Sequence, residues 1–278
     1  MDKKPANPSD ELSAEASEFY RRTMRTLQEK NLPFLVGGAY AFARYTGIVR
    51  HTKDFDIFVH PHDFDRILNV LEESGCQTER NFPHWLGKAY CGDDFVDVIF
   101  SSGNGVAAVD DDWFRHSVEA TVLDHPVRLI PAEEMIWSKA FIMERERFDG
   151  GDVAHILRAS AERIDWPRLV ARFGDHWRIL LAHLVMFGFI YPCERHRIPA
   201  GVMGELSTRL QRELRTAETG ERVCRGTILS RAQYLVDVER WGYLDPRLAP
   251  HGNLTEREAE TWTAGIAHDG PPEALRAA

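Results

Sequence analysis

"VGGAYAFARYTGIVRHTKDFDIFV", residues 36 to 59, decides how this chain is read. It closes on a strand-like run, Phe55, Ile57, Phe58 and Val59, that carries two aspartates, Asp54 and Asp56. Asp is depleted in strands, and a buried carboxylate without a partner is costly. Residues i and i+2 of a strand face the same way, about 7 Å apart. Asp54 and Asp56 therefore project together while Phe55 and Ile57 turn to the other face. Further on, FVDVIF sets Asp97 between Val96 and Val98 in a second apolar run. Three carboxylates on sheet strands repel one another unless cations neutralise them, and oxygen-rich sets of this kind suit Mg²⁺ or Mn²⁺. Two such ions clamp the attacking and leaving oxygens in phosphoryl transfer.

Upstream, Gly37-Gly38 stands where a short apolar run (Pro33 to Val36) gives way to a helix over Ala39 to Tyr45. A glycine turn entering a helix lets backbone N–H groups approach phosphates, and the helix N-terminus favours their charge.

The surrounding pattern gives an outline of the fold. A polar-rich helix is expected from about Ser9 to Lys30, and a strand from Asp54 to Val59. Pro61 suits the start of a helix whose Phe64, Ile67, Leu68 and Leu71 recur at helical spacing until Gly75 stops it. Strands are expected around His84 to Tyr90, Val96 to Phe100 and Ala120 to Ile130, the last as a hairpin about Asp124-His125-Pro126. After Pro131 the texture turns helical: Glu133 to Glu144, Gly151 to Ala161, Pro167 to Phe173, Trp177 to Phe189 and Val202 to Arg215. Beyond about Val236 the Pro, Gly and Trp content predicts an irregular course. The expected class is α/β (α+β): a small mixed β-sheet over 1–130, a mainly helical region over 131–235 and an irregular tail over 236–278.

Composition bounds the function. With 44% hydrophobic and 28% charged residues the chain reads as an ordinary globular protein. The opening MDKKPANPSDELSAEASE has no apolar core of signal-peptide length, and the most apolar run, Ile179 to Ile190, is too short for a membrane span and contains His183. No membrane association and a cytoplasmic location are expected. Cys76, Cys91, Cys193 and Cys224 show no C-x-x-C or metal-finger spacing and read as free thiols. A net charge of −9 argues against avid non-specific nucleic-acid binding, although Tyr191 to Arg231 holds eight Arg against five Glu.

In the helix expected after Pro131, Met135, Ile142 and Met143 lie at i−4, i+3 and i+4 from Lys139, so this lysine emerges on an apolar face. There it either snorkels or reaches for an anion such as a phosphate. Asp152 would hold that lysine or act in the site; alternatively Asp149 and Asp152 simply favour a helix N-terminus. Asp54 and Asp56 read on their own as an edge strand's solvent face, and Asp97 as a satisfied buried carboxylate. His60 and His62 read as loop and cap residues, Trp177, Phe187 and Phe189 as core, and Arg145, Arg147 and Arg158 as solvated charge.

The Gly-Gly turn opening a helix, the Asp-Phe-Asp strand and the later lone strand Asp together resemble the nucleotidyltransferase superfamily with the DNA polymerase beta type of palm. Arg50 and Thr52 resemble that family's R-x-T-x-D approach. The stretch PAEEMIWSKAFIMERERFDGGDVAHIL is similar to the abortive-infection, toxin-like branch, and the resemblance covers roughly Phe34 to Leu157.

The resemblance implies that residues 1–130 form the palm. It also implies that Gly37, Gly38, Arg50, Thr52, Lys139 and Asp152 bind the nucleotide. Asp54, Asp56 and Asp97 would ligate two Mg²⁺ or Mn²⁺ ions, with Asp97 helping to activate an acceptor hydroxyl and Lys139 serving catalysis. The implied reaction moves an NMP from an NTP to that hydroxyl and releases pyrophosphate. The acceptor is left open among a tRNA end, a protein hydroxyl and a small molecule, as is an antitoxin or homo-oligomer partner. The alternative is a degenerate nucleotidyltransferase fold serving as a binding or regulatory module, such as one member of a toxin–antitoxin pair.

Overall fold

The structure is a computed structural model that describes residues 12–50, 52, 54–216 and 220–265. The stretch read for a secretion signal falls mostly outside these residues, as do the first residues of the expected N-terminal helix and the end of the tail.

Seven strands form one mixed sheet in the order β3-β4-β5-β2-β1-β7-β6. They are β1 (Leu35–Val36), β2 (Asp54–Phe58), β3 (Gln77–Phe82), β4 (Leu86–Cys91), β5 (Asp94–Ile99), β6 (Val118–Val122) and β7 (His125–Leu129). β2 runs parallel to β5 and antiparallel to β1, while β1 runs parallel to β7. The mixed sheet and its helices are the expected class. β3 is a strand the pattern does not announce: its QTERNF sequence lies at the sheet edge with both faces partly exposed, so it lacks the alternation of a half-buried strand. The hairpin of β6 and β7 forms about Leu123-Asp124, both at positive φ (52° and 60°), one step before the expected turn. That pair of left-handed residues marks a tight two-residue hairpin turn.

The helices against the sheet follow from their apolar stripes. α1 (Ala14–Glu29) is capped by Ser13, whose hydroxyl accepts from Ala16 N at 3.0 Å, and buries Ala16, Phe19, Tyr20, Thr23, Met24 and Leu27. α2 (Gly38–Thr46) ends at Gly47 in the left-handed region. α3 (Phe64–Glu73) buries Phe64, Ile67, Leu68 and Leu71. On β2, Phe55 and Ile57 are wholly buried among these side chains, each stabilising the fold by about 1.5–3 kcal/mol. A short α4 (Asp111–Arg115) follows β5, capped by Asp110, whose carboxylate accepts from Asp112 N.

After Pro131 come α5 (Ala132–Ala140), α6 (Gly150–Ser160), α7 (Trp166–Phe173), α8 (Trp177–Ile190) and α9 (Ala200–Glu213). Trp177 and Phe187 are core, as expected, but Phe189 is 87% exposed. Beyond Val236, where an irregular course is expected, the chain forms α10 (Leu235–Glu239) and α11 (Glu256–Ala264). α11 opens on a capping box in which Thr255 and Glu258 satisfy each other's backbone. Among the described residues, no helix is long and apolar enough to cross a membrane.

The helical half is locked to the sheet half through buried ions. Glu134 of α5 is fully buried and its Oε1 accepts from Arg168 and, at 3.0 Å, from Arg172 of α7. Arg172 also forks onto Asp110 before α4.

Candidate active site

The central parallel pair sets the geometry. In the β2–β5 register Asp56 stands opposite Asp97, and Asp54 lies two residues earlier on the same face. Phe55 and Ile57 fill the opposite face. The three carboxylates that the sequence marks are thus brought together on one side of the sheet. Burial, then the charges of Asp97 and Asp54, push Asp56 up from its ordinary 3.8 to about 7, against the pull of Lys139 and Lys88. Asp97 is also raised, chiefly by burial, with Lys88 opposing.

Gly37 and Gly38 have specific steric reasons. Gly38 has φ +53°, and a Cβ there would collide with the Asp56 carboxylate. Its lack of a side chain lets Asp56 lie against the first turn of α2. A Cβ on Gly37 would strike the Phe58 ring. The Gly37 N–H donates to the Asp56 carbonyl at 3.0 Å, so it serves the sheet and is not free for a phosphate. The amides of Gly38, Ala39 and Tyr40 open the helix and have no partner within it.

Lys139 does not snorkel. Its Nζ sits 2.8 Å from Asp149 Oδ2 and 2.8 Å from Asp152 Oδ2, with the side chain 18% exposed. Arg147 forks onto Asp149 with two bonds of 3.0 Å, and Arg50 ion-pairs with Asp152 while its guanidinium lies 4.3 Å from the Phe42 ring centroid. Burial would raise both aspartates, but hydrogen bonds from Arg147 and Arg50 and the charge of Lys139 more than offset it, and both are lowered. The result is a chain of alternating charge from the segment before β2 to α5 and α6. Thr52 has a narrower role: its hydroxyl lies 3.1 Å from Asp54 N and 3.2 Å from Asp54 O, pinning the start of β2. Arg158 pairs with Glu194, away from this network.

Lys88 is the residue that sequence reasoning misses. It pairs with Asp97 across β4 and β5, its Nζ stands 2.8 Å from Asp97 Oδ1, and it lies 3.8 Å from the Phe95 ring centroid. A lysine at an alternating position of one strand, facing an aspartate of the next, is the available signal, but the register that joins them is not local.

Among the described residues, no three His, Cys, Asp or Glu side chains converge as a ready-made metal cage. The residues nevertheless fit a divalent cation. The donors are hard carboxylate oxygens that repel one another, and burial raises both Asp56 and Asp97, a shift that Lys88, 2.8 Å from Asp97 Oδ1, offsets only in part.

Among curated proteins, none matches the chain in sequence. Solved structures similar to it include the antibiotic-resistance factor ANT(2'')-Ia, at 16% identity and a TM-score of 0.39, covering 73% of this chain and 97% of that one. The lincomycin-bound lincosamide antibiotic adenylyltransferase LnuA is 15% identical with a TM-score of 0.37, covering 52% and 96%. JHP933 from Helicobacter pylori is 12% identical with a TM-score of 0.34, covering 73% and 94%. A family described as uncharacterised nucleotidyltransferase matches residues 14–182, which span every strand of the sheet and the Lys139 network. With more than half of its length matched, the chain belongs to this nucleotidyltransferase family.

Proposed function

We propose that the chain moves an NMP from an NTP to an acceptor hydroxyl, releasing pyrophosphate, with divalent cations held by Asp54, Asp56 and Asp97. The observation that carries this reading is the in-register pairing of Asp56 with Asp97 beside Asp54. Mg²⁺ or Mn²⁺ bound there supplies charge neutralisation and alignment for in-line displacement.

The protein's own groups do the rest. The open amides at the start of α2 and the Gly38 backbone receive phosphate oxygens, where the helix N-terminus favours negative charge. Lys139, released in part from Asp149 and Asp152, offers its ammonium to the same phosphates, and the Arg50–Asp152 pair fixes where it starts. Asp97 faces the acceptor hydroxyl and draws its proton as the oxygen attacks the α-phosphorus; the bond from that phosphorus to the bridging oxygen breaks, and pyrophosphate leaves with the electron pair. No covalent nucleophile is needed.

The test is label transfer. The full chain is incubated with Mg²⁺ or Mn²⁺, each α-labelled NTP in turn and a cell extract, beside the Asp54→Ala, Asp56→Ala double variant. Label entering RNA, protein or a small molecule with the wild type alone supports the reading and identifies the acceptor class. Equal labelling by both proteins, or neither transfer nor metal-dependent NTP binding by the wild type, overturns it.

A further inference from the structure

The sheet face turned away from the carboxylates carries two of the four cysteines. β3 and β4 pair as Gln77↔Tyr90, Thr78↔Ala89 and Glu79↔Lys88. Continued one residue past the start of β3, that register sets Cys76 level with Cys91. Directly opposed residues of an antiparallel pair share a face, with Cα atoms about 4.5–5.5 Å apart. That span lies inside the range of about 4.4–6.8 Å that a disulfide bridges without backbone movement.

A second observation puts the two sulfurs together. Arg22 of α1 donates from its Nη2 to Cys91 Sγ at 3.3 Å, and the Cys76 thiol, pushed up chiefly by burial, also feels Cys91 and Arg22 as neighbours. Both thiols are free. Their accessibility differs, Cys76 being 6% exposed beneath α3 while Cys91, next to the Gly92 turn, is half-buried.

We propose that Cys76 and Cys91 form an intramolecular, reversible disulfide, with Cys91 the thiol that meets a peroxide oxidant and Cys76 the one that resolves it. Cys91 sulfur attacks one oxygen of hydrogen peroxide; the O–O bond breaks, and the leaving hydroxide takes the thiol proton as water. The product is a sulfenic acid at Cys91. Cys76 sulfur then attacks that sulfur, the S–O bond breaks, and the departing hydroxide leaves as a second water with the Cys76 proton. Two thiols have lost two electrons and two protons, and one peroxide has become two waters. Thiol–disulfide exchange with an added dithiol reverses the bond. The bridge ties edge strand β3 to β4, the strand that also carries Lys88 on its other face. This inference is independent of the proposed transfer reaction.

The experiment uses the reduced full chain treated with a few equivalents of hydrogen peroxide, followed by thiol counting in denaturant and mapping of proteolytic fragments. The expected result is a fall from four free thiols to two per monomeric chain. One fragment should join Cys76 to Cys91 and separate again in dithiothreitol. A Cys193→Ser, Cys224→Ser double variant should fall from two thiols to none, and Cys76→Ser should accumulate the sulfenic acid at Cys91. Retention of all four thiols, cross-linking between chains through the exposed Cys193, or over-oxidation of Cys91 in the wild type without a bridge would each overturn the proposal.

Discussion

Asp56 and Asp97 face each other across neighbouring parallel strands, and the cost of that arrangement falls on Asp56, whose carboxyl is pushed up to about 7. The sign follows from the reference state. Below about pH 4 the group is protonated folded and unfolded and contributes nothing. Between about 4 and 7 only the unfolded chain ionises, so the metal-free protein loses stability from this group as pH rises. Asp56→Asn should therefore raise the thermal midpoint of the metal-free protein at pH 8 by several degrees. The gain should shrink towards pH 5. Mn²⁺ should raise the wild-type midpoint at pH 8 and leave the variant almost unmoved. Scanning calorimetry at the two pH values checks both.

Gly38→Ala places a methyl group into the space of the Asp56 carboxylate, on a backbone with φ +53°. Strain of this kind costs on the order of 1–3 kcal/mol, and relief requires Asp56 to move. The expected outcome is a folded, less stable protein whose Mn²⁺ affinity falls at least tenfold. Urea unfolding and metal titration by spin resonance separate the two effects.

Lys139→Met removes the cation shared by Asp149 and Asp152. Each aspartate keeps an arginine, Arg147 or Arg50, so the loss of stability should be roughly 2–3 kcal/mol, near the low end for a broken buried pair. NTP affinity should fall by tenfold or more, read by fluorescence titration with a labelled nucleotide. Unchanged affinity would leave Lys139 a purely structural tie.

Glu134→Gln tests the lock between the sheet and the helices. Glu134 is fully buried and takes two arginines, Arg168 and Arg172. Neutralising it leaves Arg168 with Glu133 and Arg172 with Asp110, so the expected loss is roughly 2–3 kcal/mol. A lower urea midpoint at an unchanged slope would show that the two halves still unfold together.

The parts of this site that could be read from sequence are those written in short-range periodicity. Alternation puts Asp54 and Asp56 on one face and Phe55 and Ile57 on the other, and helical spacing lifts Lys139 out of an apolar surface. The Gly-Gly position was legible too, but its steric reason was not. Gly38 makes room for a side chain 18 residues later, and no local rule connects them. Lys88 was hidden because its meaning depends on the β4–β5 register. β3 was hidden because an edge strand exposed on both faces has no apolar alternation to betray it. The same holds for Glu134, whose neighbours Arg168 and Arg172 lie a whole helix away. The opposition of Cys76 and Cys91 was invisible for the same reason: fifteen residues separate them in sequence, and only the hairpin brings them level.

The shortest strand has a consequence for how the chain is made. β1 is two residues long, yet it alone joins the four-strand group β3-β4-β5-β2 to the β7-β6 hairpin, through Val36 opposite Leu129 and the Ile130 N–H given to Val36 O at 3.0 Å. During synthesis the flank of β1 that β7 will cover stays open until residue 130 has cleared the ribosome exit. At about 5–20 residues per second that is a wait of several seconds after Val36 emerges. For that interval the nascent chain presents an unpaired edge beside its aspartates, so the sheet is closed late, by its shortest strand.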